Sequence, residues 1–135
     1  MHKLSLDIQQ KFEQFHPQTK TVLLTIRQWI FEIGESCDEI GQIHECLKWG
    51  EPSYLTAAPK TGTTLRLSQL QSKPLKFGLF VHCQTSLIEE FRVAYPDLDY
   101  DKNRGVLFDS QLPIQTNTIK QFIYLALTYH VRNSN

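Results

Sequence analysis

Trp49-Gly50-Glu51-Pro52-Ser53-Tyr54-Leu55-Thr56-Ala57 is the stretch at which the chain changes period. Trp49 to Pro52 is turn chemistry, with Gly50 and Pro52 suited to tight backbone geometry. Ser53 to Ala57 then reads as a strand. Pro59-Lys60-Thr61-Gly62 predicts a hairpin turn, and Thr63 to Leu67 is rich in β-branched residues and alternates apolar with polar. Gln71 to Pro74 is another turn and Leu75 to His82 another strand. The run Phe77-Gly78-Leu79-Phe80-Val81 makes that strand central, with Gly78 marking a close backbone approach or a bulge. Consecutive strands joined by turns this short pair antiparallel, because a parallel pair needs a long crossover.

Upstream the period is helical. A first helix is expected from Leu6 to Phe15, with Ser5 at its N-cap and Ile8, Phe12 and Phe15 on one face. Pro17 breaks it and fits the first turn of the next helix, where a missing amide costs nothing. Val22, Leu23, Ile26, Trp29, Ile30 and Ile33 form the stripe of that second helix, which ends near Gly34. The acids that follow are oddly placed, since a helix C-terminus prefers cations. Cys37 to Leu47 is compatible with a short helix or an irregular turn.

Downstream, Ser86 to Tyr95 predicts a helix opened by a Ser86–Glu89 capping box and stopped by Pro96. Asp97 to Asn103 reads as a polar loop and Arg104 to Phe108 as a strand. The last helix is expected from about Asn117 to Val131, with Ile119, Phe122, Ile123, Ala126, Leu127 and His130 inward. Strands grouped together and flanked by helices indicate an α+β fold. The expectation is one domain over residues 1–135: an antiparallel sheet of about five strands with N-terminal, middle and C-terminal helices on one face. The other face is then open to a ligand or partner.

At 135 residues the chain has room for one sizeable core. Lys plus Arg and Asp plus Glu both number 14, which argues against a nucleic-acid-wrapping protein. The balance hides an acidic start, four cations against seven acids in residues 1–45, and a basic middle, five against one in 46–80. The bland explanation is complementary solvated faces; the sharper one is a basic sheet surface that holds an anion, or an acidic helix that holds a cation. No apolar run approaches the roughly 18 residues of a membrane span, and the first ten residues have no signal-peptide core. Three cysteines make no disulfide framework, so a reduced, cytoplasmic compartment is expected.

Chemistry-bearing patterns are sparse. His44-Glu45-Cys46 and His82-Cys83 lack the spacing that brings two ligands to one zinc ion, and adjacent strand residues face opposite ways. There is no G-x-S-x-G elbow, and Lys60-Thr61-Gly62-Thr63-Thr64 lacks the glycine-rich run of a phosphate loop. Glu32, Glu35 and Glu39 lie three and four apart, and with Asp38 they form a candidate metal set for weakly held iron if the helix persists that far. The ordinary alternative is a solvated acidic helix end. Trp49, Tyr54, Phe77 and Phe80 stand among Lys48, Arg66, Lys73 and Lys76, an arrangement that suits stacking on an open sheet, although strand aromatics are mostly core.

The block Leu47-Lys48-Trp49-Gly50-Glu51-Pro52-Ser53-Tyr54-Leu55-Thr56 resembles the signature of the YdhG-like domain family, a bacterial domain of unknown function in the frataxin-like α+β class. Lys60 to Arg66, Leu79 to Thr85, Tyr100 to Arg104 and Ala126 to His130 agree in order, so the resemblance runs from about residue 45 to 130, beyond N-terminal helices over residues 5–36. Many relatives carry a histidine in the strand that here reads Leu75-Lys76-Phe77-Gly78-Leu79-Phe80, and it is absent from this chain. The resemblance implies a compact α+β domain with an antiparallel sheet.

The leading reading is a non-enzymatic cytosolic binding module for a small ligand or a protein partner, with neither nucleic acid nor membrane involved, and an enzyme whose site the fold assembles is a further alternative. Trp49, Tyr54, Arg66, Lys76 and Arg104 are its candidate ligand-binding residues. The alternative that the resemblance implies is a frataxin-like iron-binding or chaperone protein using Glu32, Glu35, Asp38 and Glu39. A homodimer formed through the open face or a sheet edge is a further expectation.

Overall fold

The structure, a computed structural model, describes residues 2–133. Leu6–Glu13 forms α1, and Pro17–Ser36 forms α2 with Pro17 in its first turn. Helix α1 stops two residues earlier than expected, yet Phe15 still reaches the core through the turn that follows. Ser5 stands at the α1 N-cap position, but its hydroxyl donates to the Asp7 carboxylate (2.6 Å), which itself accepts the Ile8 amide (2.8 Å).

The segment left open as helix or turn contains a strand, β1, Gln42–Lys48. Ile43, Glu45 and Leu47 face one way and His44, Cys46 and Lys48 the other. A carboxylate in an inward slot and a small apolar thiol in an outward one hide the period-two pattern. Lys48 pairs with Glu51 of β2, Glu51–Ala57, and the two residues between them have positive φ, 55° at Trp49 and 75° at Gly50. That backbone twist matches the twist of the flanking strands, as two-residue hairpins require.

β3, Leu65–Gln69, and β4, Lys76–Phe80, follow. The β2–β3 connection is longer than the expected hairpin turn, because the two strands pair only at Ser53–Arg66 and Tyr54–Leu65. Gly78 is a close approach with no bulge: β4 pairs continuously with both neighbours, and a Cβ there would lie 2.5 Å from the Phe80 ring. Helix α3, Leu87–Ala94, lacks the capping box; the Ser86 hydroxyl donates to Glu90 (2.5 Å) and accepts no backbone amide of the helix. Asp99–Asp101, expected as loop, is an edge strand, β5, paired with β6, Gly105–Asp109. Helix α4, Thr116–Leu127, breaks at Thr128 before a short α5, Tyr129–Arg132. The break turns His130 outward, so its expected inward position is corrected.

The six strands run in the order β1-β2-β3-β4-β6-β5, and every neighbouring pair is antiparallel. Tyr54, Leu65, Leu67, Phe77, Leu79 and Val106 alternate onto one face and join Leu23, Ile26, Ile30, Phe91, Phe122 and Ile123 in a single hydrophobic cluster. The α+β class, the antiparallel sheet and the one-sided helix layer are therefore as expected. Among the described residues the second face has no helical layer, and no helix is long and apolar enough to cross a membrane.

Candidate functional site on the uncovered sheet face

One row of residues crosses the uncovered face. The register aligns Cys46, Ser53, Arg66, Phe80, Gly105 and Asp101 in succession from β1 to β5. The Phe80 ring lies flat over Gly78 and Gly105, since a Cβ on either would stand 2.5 Å from a ring carbon. The Arg66 guanidinium sits 5.8 Å above that ring and donates to Glu51 at 2.9 Å. Phe80 is consequently buried on a face without helices. From the β5–β6 turn Arg104 comes to the same place and pairs with Asp101 at 3.2 Å. Glu51, Arg66, Ser68, Phe80, Asp101 and Arg104 together line a cleft of about 200 Å³. Both arginines keep part of their side chains open to solvent.

Two of the five sequence-predicted ligand residues, Arg66 and Arg104, are thus brought together. Lys76 faces the same way but lies four residues from Phe80 along β4, roughly 13 Å at the rise of a strand. It lines, with Lys73, a broad depression of about 520 Å³ that also carries Asp97, Asp99 and Asp109. Trp49 stands 89% exposed at the hairpin tip. Tyr54 is a correction: it points into the core, fully buried, and its hydroxyl donates to Glu45 at 2.8 Å.

That contact belongs to a buried polar group that sequence reasoning did not find. Arg27 of α2 grips the Glu45 carboxylate through Nε (2.5 Å) and Nη2 (2.9 Å). It also donates to the carbonyls of His2 (2.9 Å) and Lys3 (3.3 Å) and so ties down the N-terminal segment. Burial, then the neighbouring carboxylate, pushes the Tyr54 phenol well above its ordinary value, and the hydrogen bond to Glu45 raises Arg27. The available signal was a lone arginine one turn from Leu23 and Ile30, on the apolar stripe.

The four candidate metal ligands do not converge. Helix α2 ends at Ser36 and Cys37 is extended, so the helical spacing of the acids is lost beyond Glu35. Glu32 accepts from Gln28, Glu35 pairs with His2 (2.7 Å), Glu39 accepts from Tyr124 (3.0 Å), and Asp38 is exposed. Among the described residues no group of three or more His, Cys, Asp or Glu is placed to hold a metal ion.

The sequence blocks that carried the resemblance do meet. Thr61 of the β2–β3 loop donates through its hydroxyl to the Leu127 carbonyl (3.0 Å), and the Thr63 amide donates to Ala126 (2.9 Å). The His130 amide donates back to Thr61 (2.8 Å), and the Val81 amide reaches Arg104 (2.8 Å). Lys60–Arg66, Leu79–Thr85, Tyr100–Arg104 and Ala126–His130 are therefore neighbours at one end of the sheet.

An antiparallel sheet of this order with a one-sided helix layer defines a small α+β fold of the YdhG-like type. In fold the chain is similar to the crystal structure of a YdhG protein of the DUF1801 family from Bacillus subtilis, with a TM-score of 0.64, 13% sequence identity, and coverage of 94% of this chain and 93% of that one. At that identity the likeness shows a shared fold. No protein-family profile and no curated protein sequence matches the chain.

Proposed function

We propose that this chain is a YdhG-like domain that binds a small ligand on the uncovered face of its sheet and does no chemistry on it. The fold likeness and the ordered sequence blocks support the domain assignment. The observation that carries the binding reading is the convergence of Arg66, which stands over the Phe80 ring, and Arg104 in one cleft with Glu51 and Asp101. Each guanidinium stands beside a carboxylate, so a bare anion would meet repulsion along with attraction. A small ligand carrying both a carboxylate and an ammonium group, an amino-acid-like zwitterion, satisfies both signs. The flat aromatic floor adds apolar contact. Three free cysteines support a reducing compartment, in keeping with a cytoplasmic site of action.

The test is a proton–nitrogen correlation spectrum of the labelled protein titrated with amino acids, simple carboxylates and primary amines. Zwitterions are expected to shift the Arg66 and Arg104 side-chain signals saturably. Arg66→Ala should weaken that binding by about tenfold or more, as loss of a charge-assisted hydrogen bond does. Lys76→Ala should leave it unchanged. A panel in which no compound moves the Arg66 or Arg104 signals would refute the reading.

A further inference from the structure

A second cleft, of about 360 Å³, shares no lining residue with the Arg66 cleft. It is built from the β2–β3 loop, the segment between β4 and α3, and the α4–α5 break. Lys60, Thr63, Thr64, His82, Thr85 and His130 line it, and none of its lining residues is a carboxylate. In a chain with as many acids as lysines and arginines, a cleft with one lysine, two imidazoles and several hydroxyls is a local concentration of donors.

The turn that carries His82 and Thr85 is held in place. The Gln84 amide donates to His82 Nδ1 at 3.0 Å, which assigns the neutral ring's proton to Nε2, the nitrogen left to face a ligand. Thr85 is pinned through its hydroxyl (2.8 Å) and amide (3.0 Å) to the His82 carbonyl, closing a rigid turn. The His130 backbone is fixed by Thr61, and the adjoining Tyr129 hydroxyl accepts the Ser86 amide at 2.9 Å. The side chains of Lys60 and His130 have no ion-pair partner among the described residues. A cation and ring N–H donors with several hydroxyls, and no carboxylate in the lining, suit a tetrahedral oxyanion. The volume, at the lower end of small-molecule pockets, exceeds what a bare phosphate fills.

We propose that this cleft binds the phosphoryl group of a small phosphate monoester, with Lys60, His82 and His130 as the anion-holding residues. The site stands independently of the Arg66 reading. The full chain is titrated with inorganic phosphate and with glycerol phosphate at constant ionic strength, with sodium chloride as the reference anion. Saturable shifts are expected at Thr63, His82, Thr85 and His130, with the ester binding at least as tightly as phosphate. Lys60→Ala and His130→Ala, both at exposed positions, should each weaken binding about fivefold or more. Lys73→Ala, at a separate site, should change nothing. Folding of each variant is checked from its spectrum, and Lys60→Gln or His130→Gln replaces the corresponding alanine variant if that one is unfolded. Shifts reproduced by chloride, phosphate binding from which the ester is excluded, or binding unchanged in the Lys60→Ala/His130→Ala double variant would each overturn the proposal.

Discussion

Tyr54 and Trp49 lie five residues apart in one sequence block and have opposite fates. Tyr54 is fully buried with its hydroxyl on Glu45, whereas Trp49 is 89% exposed. Trp49→Ala should therefore change stability by no more than about 0.5 kcal/mol in urea denaturation. Tyr54→Phe removes one hydrogen bond to a charged group and should cost about 1.5–3 kcal/mol. Glu45→Ala strands the buried Arg27 guanidinium and should cost about 3–5 kcal/mol, the largest loss of the three. The same group gives a pH dependence. In the folded chain the Tyr54 phenol ionises well above its ordinary value; in the unfolded chain it ionises at about 10. The unfolded state therefore loses its proton first, and stability present below that pH falls as pH rises beyond it. Denaturation midpoints measured across the alkaline range should decline less steeply in Tyr54→Phe than in the parent chain. Equal slopes would remove Tyr54 as the cause.

Two glycines separate two ways in which an element depends on lacking a side chain. Gly50 has a φ of +75° at the hairpin tip with nothing within 4 Å of an added Cβ, so its role is conformational. Gly50→Ala should cost about 1 kcal/mol and leave the β1–β2 register intact. Gly62 is the reverse case: a Cβ there would stand 2.4 Å from the Ala126 carbonyl oxygen and 2.5 Å from Leu127 backbone atoms. That carbonyl also receives the Thr63 amide. Gly62→Ala should separate the β2–β3 loop from the end of α4 and cost more than Gly50→Ala in the same denaturation series. Faster amide hydrogen exchange at Thr63 and His130 would locate the damage. A Gly62→Ala variant as stable as Gly50→Ala would show that the loop does not hold the helix end.

At the scale of the whole molecule, α1 to α4 and the inner face of the sheet share one hydrophobic cluster. Unfolding should be a single cooperative transition, with tryptophan fluorescence and far-ultraviolet circular dichroism giving the same midpoint. Non-coincident curves would show a part that melts separately.

Which features could be read from the chain alone follows from how local their causes are. The stripe of Leu23, Ile26 and Ile30, the proline opening α2, the Trp49-Gly50 turn and the apolar run of β4 are decided by residues within a turn or two of each other. They were legible for that reason, and with them the α+β class. β1 was not, because Glu45 occupies an inward slot that makes sense only once Arg27 and Tyr54 surround it. β5 was not, because three acidic and aromatic residues become a strand only beside β6. Arg66 and Arg104 were each visible as cations of the basic and later segments, but their meeting in one cleft beside Phe80 depends on strand order and register. Amino-acid order determined the periods, the breaks and the one-sided burial of this protein, since these are short-range properties of the backbone. Tertiary structure alone decided which charges are buried, which are paired and which share a cleft, since those outcomes depend on the dielectric and the neighbours that distant strands and helices supply.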